Sequence, residues 1–188
     1  MPKVYFCDEW YSDCLRLQSY IEEIQFYSGS ERQKMSRKGK SMLYGTTWKG
    51  FLKYDKEGNK VFREKDPETG LYFTKCRVKY PELHKIFKEF SKRYFPDFYW
   101  TQVQLNKNFE APWHFDSQNI GESILLSLGD YSGGKTRLMH LDETVEDIDS
   151  HFQLCKFNGS KIKHCVLPFE GTRYSIVFFD NLNKKKNI

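Results

Sequence analysis

The sequence predicts a mainly β domain with flanking helices (α+β), built as a double-sheet jelly roll. Seven short β-rich runs separated by Gly, Asn and Asp punctuation fill the chain from about residue 98 onward, which is the pattern of a sheet closed on itself. The 188 residues suit one domain with a single sizeable core. Sixteen Phe, 12 Tyr and 4 Trp, 17% of the chain, supply the rings for that core and exclude a disordered protein.

Taken in order, Trp10–Phe26 carries Cys14, Leu17, Tyr20, Ile21 and Ile24 at helical spacing, with Arg16, Glu22 and Glu23 off the stripe. Ser28–Lys40 reads as a polar, basic loop. Thr46–Tyr54 and Gly70–Val78 read as strands, with turns at Lys53–Asn59 and Lys65–Gly70. Pro81 opens a second helix through Leu83, Ile86, Phe87, Phe90 and Tyr94, and Pro96 ends it. The later strands are Phe98–Leu105, Ala111–Phe115, Glu122–Leu128, Thr136–His140, Phe152–Phe157, Lys163–Pro168 and Arg173–Phe179. Asp142–Ser150 reads as an acidic insert too polar for a core. This divides one domain into a supporting region (1–97), a β core (98–180) and a basic tail (181–188) containing Lys184–Lys186.

Thirty Lys and Arg against 25 Asp and Glu leave a net charge of +5, which permits a polyanionic partner without the surplus of a dedicated nucleic-acid-binding domain. The five cysteines, Cys7, Cys14, Cys76, Cys155 and Cys165, show neither a C-x-x-C pair nor zinc-finger spacing, so reduced thiols are expected. MPKVYFCDEW has no apolar leader, and no run of about 18 apolar residues offers a membrane span. The expectation is an intracellular protein, cytoplasmic or nuclear, with no membrane and no obligate protein partner.

Chemistry concentrates in Pro112-Trp113-His114-Phe115-Asp116. On a strand, His114 and Asp116 point to one face and Phe115 to the other, making a two-ligand arm for a metal ion. A third ligand would complete a 2-His-1-carboxylate triad with open positions. His164, 50 residues after His114 and near the start of an apolar strand, is the natural choice; His140 and His151 are rivals. Nine residues after His164 comes Arg173-Tyr174-Ser175, where Arg173 and Ser175 share a face suited to gripping a carboxylate. The ligand that satisfies both is a dicarboxylate with one end on the metal.

His114-x-Asp116, His164 and Arg173-x-Ser175, in this order, resemble the Fe(II)/2-oxoglutarate-dependent dioxygenases, whose fold is a double-stranded β-helix. A longer set of matches is similar to the TET/J-binding-protein branch, which oxidises the methyl group of thymine or 5-methylcytosine. It comprises Gln104-Leu105-Asn106, His114-Phe115-Asp116 with Asn119, Gly121 and Ser123, Gly129–Gly134, Phe157-Asn158-Gly159, and His164 with Pro168–Ser175. The chain lacks the Cys-rich segment and large insert of animal TET enzymes and the DNA-binding insertion of the J-binding proteins. The resemblance implies that His114, Asp116 and His164 bind Fe(II), that 2-oxoglutarate is the cosubstrate with Arg173 and Ser175 on its C5 carboxylate, that O2 is consumed, and that ascorbate serves as reductant. Nucleic acid, DNA by preference, is then the substrate.

The same residues admit plainer readings. Five matched positions also suit a barrel that binds another metal or has lost activity, and the triad and Arg are shared with protein (prolyl-type) hydroxylases. A barrel that binds nucleic acid or a partner without turnover is a third reading. Asn106, ending an inner strand, is placed on the cosubstrate and Asn119 on the metal loop or substrate; each is equally a turn residue satisfying its own backbone. His84 is read as a packed or solvated helix residue, and Gly133, Gly134 and Gly171 as scaffold. Arg32–Lys40 is the densest basic stretch, either a phosphate contact or a solvated loop.

Overall fold

The computed structural model describes residues 8–28, 30–36 and 38–181. Cys7, Arg37 and the tail Lys184–Lys186 lie outside the described residues. The first half contains helices α1 (Asp8–Glu22) and α2 (Ser30–Met35), then strands β1 (Lys40–Thr47), β2 (Phe51–Tyr54), β3 (Lys60–Phe62) and β4 (Tyr72–Phe73). Helices α3 (Lys75–Lys79) and α4 (Leu83–Tyr94) close it. The second half holds β5 (Gln102–Lys107), β6 (Ile120–Leu128), β7 (Tyr131–Gly133), β8 (Thr136–Met139) and β9 (Val145–Ile148). It continues through β10 (Cys155–Phe157), β11 (Lys163–Val166), β12 (Phe169–Gly171) and β13 (Tyr174–Asp180).

Period-two alternation sorts the central strands into two faces of different chemistry. Val103 and Leu105 of β5, Ile124, Leu126 and Leu128 of β6, and Tyr174, Ile176 and Phe178 of β13 share one buried cluster with Trp10, Leu17 and Ile21 of α1 and Phe87 and Phe90 of α4. The alternate residues, Gln104, Asn106, Leu125, Ser175 and Val177, line a cavity on the opposite face. Both faces are therefore out of water; α1 and α4 cover the apolar one, and Arg32 of α2 reaches the polar one.

The main sheet has the order β10-β6-β13-β5-β1-β4. A second sheet, β11-β8-β9, faces it across the cavity, and Leu125, Leu138 and Phe157 pack where the two approach. From β6 onward the chain passes back and forth between the layers, with β8 and β9 consecutive in the second sheet and β7 pairing β12, giving the predicted jelly roll. Pairing aligns one polar row across four strands of the main sheet, because Ser41 lies opposite Asn106, Asn106 opposite Ser175, and Ser175 opposite Ser127.

The two long helices form where their apolar periodicity puts them, with Cys14, Leu17, Ile21, Leu83, Phe87 and Phe90 buried. Several local expectations are corrected. Lys40–Thr47, read as the end of a loop and the start of a later strand, is a full strand pairing with β5, and α2 lies inside the predicted polar loop. Thr46–Tyr54 breaks at Gly50, which lies against the Tyr72 ring. Gly70–Val78 is strand only at Tyr72–Phe73, because the Thr74 hydroxyl accepts a hydrogen bond from the Arg77 amide at 3.2 Å and starts α3. Ala111–Phe115 is no strand either; Pro112 has no amide to donate, and a single bridge at His114 is what remains. The acidic insert contains β9, an exposed strand paired with β8, and Asp147 accepts two hydrogen bonds from Arg137 at 2.6 and 2.8 Å. Among the described cysteines, Cys14, Cys76, Cys155 and Cys165 are free thiols. No described helix is long and apolar enough to cross a membrane.

Phe178 anchors the helix layer to the sheet. It is 0% exposed, with ring centroids 5.7 Å from Phe87, 5.0 Å from Phe95 and 5.4 Å from Trp100. Phe178→Ala is expected to lower unfolding free energy by about 3–5 kcal/mol in urea titrations. A loss below about 1 kcal/mol would mean that the helices do not depend on this face.

Candidate metal centre

Two backbone hydrogen bonds set the centre. The His114 amide donates to the His164 carbonyl at 2.9 Å, and the His164 amide donates back to the His114 carbonyl at 3.0 Å, so the two imidazoles stand side by side with centroids 4.2 Å apart. The Asp116 amide donates to the Gly159 carbonyl at 2.9 Å, turning the carboxylate back toward both rings. Its oxygens lie 3.6 Å from His114 Nε2 and 3.6 Å from His164 Nε2. One donor atom from each of the three residues falls within 4.8 Å of the others.

The proton positions follow from the partners. His114 Nδ1 faces the Pro112 carbonyl at 2.7 Å, and His164 Nδ1 faces the Ile162 carbonyl at 2.9 Å. A carbonyl only accepts, so each Nδ1 carries the proton and each Nε2 presents a lone pair to the common centre. Burial, followed by the neighbouring His164, holds His114 below the ordinary histidine value and favours the neutral ligand form. For Asp116, burial pushes the carboxyl up. Its surroundings, His164 first and then His114 and Arg32, outweigh that burial, so the net shift is downward and favours the carboxylate form.

Arg173 enters the same cavity from the far side. The residue is 2% exposed, and its Nη2 donates to Ser127 Oγ at 2.9 Å while its buried Nε has no partner. Its guanidinium lies 5.6 Å from the Tyr131 ring centroid, with a hydrogen bond to the Tyr131 side chain, and 5.8 Å from the Phe169 ring; the Asp149 charge reaches it, but no carboxylate forms a salt bridge with it among the described residues. Burial pulls its pKa below the usual arginine value. Ser175 accepts from Asn106 Nδ2 at 2.9 Å, and Asn106 Oδ1 accepts from the Ser41 hydroxyl at 2.6 Å. The Ser175 proton thus stays available to a ligand.

His114, Asp116, His164, Arg173, Ser175, Asn106 and Asn119 all line this one cavity. The Asn119 amide nitrogen donates to the Asp116 carbonyl at 2.9 Å and its side chain reaches Ser123 Oγ at 3.3 Å, bracing the turn that carries the carboxylate. The rival histidines lie elsewhere. His140 sits 3.2 Å from Glu146, His151 stacks on Tyr131 at 4.3 Å, and His84 packs near Trp100, where burial lowers its pKa to about 4.

The structure adds residues that the sequence reading passed over. Ser127 was legible as a lone polar residue inside the apolar run Ile124–Leu128. The Asn108 side chain accepts from the Arg173 amide at 2.7 Å. Gly134 is more than scaffold, since a Cβ there would meet Arg173 Cδ at 3.0 Å and Nε at 3.1 Å. The basic stretch divides: Lys38 pairs with Glu110 at 2.9 Å, whereas Arg32 lines the cavity and donates to Gln104 Oε1 at 3.4 Å. Outside the cavity a broad groove runs past Arg32, Lys49, Arg63 and Lys75 to the metal-facing side chains. Among its described lining residues the only acid is Asp116.

The chain matches no protein-family model and no curated protein. Its fold is similar to that of a solved prolyl hydroxylase from Trichoplax adhaerens in complex with a hypoxia inducible factor oxygen degradation domain peptide fragment. That likeness has a TM-score of 0.53 at 14% identity over 96% of this chain and 82% of that one. An oxidoreductase of the 2OG-Fe(II) oxygenase family from Burkholderia pseudomallei gives a TM-score of 0.50 at 13% identity over 94% and 82%. The shared architecture is the double-stranded β-helix.

The tightest packing at the centre is at Gly159, where an added Cβ would meet Asp116 Oδ2 at 3.1 Å and His164 Cε1 at 3.2 Å. Gly159→Ala is expected to weaken binding of Mn(II), titrated calorimetrically, by about tenfold while leaving the far-UV circular dichroism unchanged. Unaltered affinity would show that the centre has room to spare.

Proposed function

We propose that the protein is an Fe(II)/2-oxoglutarate-dependent dioxygenase that hydroxylates the methyl group of 5-methylcytosine or thymine in nucleic acid. The observation that carries the chemistry is Arg173, a buried cation with an unpartnered Nε and no salt bridge among the described residues, facing into the cavity that holds two imidazoles and a carboxylate. Burying a lone charge is costly unless a counter-charge arrives, so the cavity is built for an anion that also reaches a metal. A five-carbon dicarboxylate with a 2-keto group has both ends.

The donor set fits a divalent iron, because two imidazoles and one carboxylate on one side of an ion leave positions open for exchangeable ligands. Fe(II) with 2-oxoglutarate and O2 supplies oxidation of a C–H bond to an alcohol, coupled to decarboxylation of the cosubstrate to succinate, with ascorbate keeping the metal ferrous. The chain's own residues do the positioning. His114, Asp116 and His164 hold the ion, with both Nδ1 protons committed to carbonyls so that the rings cannot turn. Arg173 and Ser175 hold the distal carboxylate, and Asn106 orients the Ser175 hydroxyl from the neighbouring strand. Phe157, Ala111 and Val166 supply apolar wall that excludes water from the reacting atoms.

The cationic groove supports a nucleic-acid substrate, since Arg32, Lys49, Arg63 and Lys75 suit a phosphate backbone and a base must leave its stack to reach a buried ion. Asn119, at the junction of cavity and groove, is assigned to the substrate. The competing reading is hydroxylation of a protein side chain with the same chemistry, and the solved Trichoplax neighbour carries a peptide. Groove charge favours the polyanion.

Incubation with Fe(II), ascorbate and 2-oxoglutarate is expected to convert methylated oligonucleotides to hydroxymethyl products detectable by mass spectrometry. His114→Ala, Asp116→Ala and His164→Ala should each abolish succinate formation. Arg173→Ala should raise the KM for 2-oxoglutarate by about 100-fold, as loss of one partner of a buried charge pair does. Turnover on peptides with none on any methylated DNA or RNA would refute the nucleobase assignment and leave the chemistry standing.

A further inference from the structure

The β2–β3 hairpin stands apart from the rest of the fold as a two-stranded sheet of its own. It does not bury its aromatic side chains. Phe51 is 45%, Tyr54 58% and Phe62 46% exposed, and Trp48 just before the hairpin is 42% exposed. The rings meet one another instead of the core, with Phe51 5.2 Å from Tyr54 and 6.2 Å from Phe62. Phe62 in turn stacks on Tyr72 at 5.6 Å with 19° between the planes. Exposed apolar area of this kind on a small domain marks a surface that something covers.

The hairpin is held in shape. At its tip, Asp55 Oδ1 accepts from the amides of Glu57 at 2.9 Å and Asn59 at 2.8 Å, and Gly58 adopts φ 84°. At its base, the Arg63 amide donates to the Gly50 carbonyl at 2.8 Å, and the Arg63 guanidinium donates to the Lys49 carbonyl. Lys49 and Arg63 are also groove residues, so the platform runs without a break into the cationic track that reaches His114 and Asp116.

What covers the surface follows from its chemistry. From residue 48 to residue 65 the chain has six cations (Lys49, Lys53, Lys56, Lys60, Arg63 and Lys65) and three acids (Asp55, Glu57 and Glu64), and Asp55 is committed to the turn. Aromatic faces interleaved with lysines suit a ligand that alternates flat π-systems with negative charge. That ligand is a nucleic-acid strand. A duplex turns only base edges and phosphates outward, so rings can stack only on bases that are unpaired.

We propose that the β2–β3 hairpin is a stacking platform for a single-stranded stretch of nucleic acid, whose backbone follows the groove and delivers one base to the metal centre. This rests on the nucleobase assignment and adds the strandedness of the substrate and the surface that selects it.

The test is fluorescence anisotropy of labelled oligonucleotides with the full chain loaded with Mn(II) and 2-oxoglutarate under anaerobic conditions, where no turnover occurs. A single strand should bind at least tenfold tighter than the same sequence as duplex. Phe51→Ala/Tyr54→Ala should weaken single-strand binding by about tenfold or more and leave duplex binding unchanged. Phe51→Trp should retain binding, and Lys49→Gln should reduce the salt slope by about one. Affinity for 2-oxoglutarate, measured by calorimetry, should be the same in all variants and shows that each is folded. Equal affinity for duplex and single strand, or an aromatic double variant within twofold of the parent, would overturn the platform and leave the nucleobase assignment standing. Binding of neither form by protein that holds metal and 2-oxoglutarate would overturn both.

Discussion

The central strands β5, β13 and β6 must be hidden on both faces, and the two faces need opposite kinds of cover. The apolar side is satisfied by two amphipathic helices, whose stripes of Leu, Ile and Phe supply a dry layer against Val103, Leu126 and Ile176. The polar side cannot be covered that way, because each buried amide and hydroxyl needs a partner. Ser41, Asn106 and Ser175 find theirs in one another across adjacent strands. Placement of the second sheet at a distance, with a cavity between the layers, follows from this division.

Within that cavity the decisive group is a guanidinium. Its neighbours are the Ser127 hydroxyl, the Tyr131 side chain and the Phe169 ring, with Asp149 acting from farther off, and they soften the loss of hydration without forming a salt bridge. Gly134 withholds a side chain so that Arg173 can lie flat, and Asn108, at φ 51°, receives the Arg173 amide. The scaffold thus accommodates an unfavourable element with care, as is expected where a site is shaped for a ligand and not for stability alone. On the opposite wall, two reciprocal backbone hydrogen bonds register the two histidines, and Phe157 packs against the His164 ring.

Much of this was legible in the residues themselves. The helix stripes, the strands β6, β8 and β13, and the grouping of His114, Asp116, His164 and Arg173 follow from period and spacing, since the side chains that make them are the ones that repeat. Errors clustered where pairing partners decide the state. β1 carries Lys40, Ser41 and Gly45 and looks like loop, yet β5 supplies its ladder; β9 is half acidic, yet Arg137 pairs with one of its two carboxylates and β8 supplies the backbone bonds. Thr74 as a helix cap outcompeted a β-rich run. Arg32 carried no local signal of its destination, because a basic loop and a cavity wall read alike until a third element, here Gln104, is brought beside it.

The polar row across the sheet has a volumetric meaning. Ser41, Ser127 and Ser175 are small side chains in that row, at positions where a sandwich of this kind would carry valines and leucines, and all three are buried. In effect a layer of the core has been left out, and the space is the site. A ligand bound there does the mechanical work of the missing layer, bridging the two sheets and supplying the packing that short side chains forgo. By linkage, a ligand that binds only the folded chain would add to its stability.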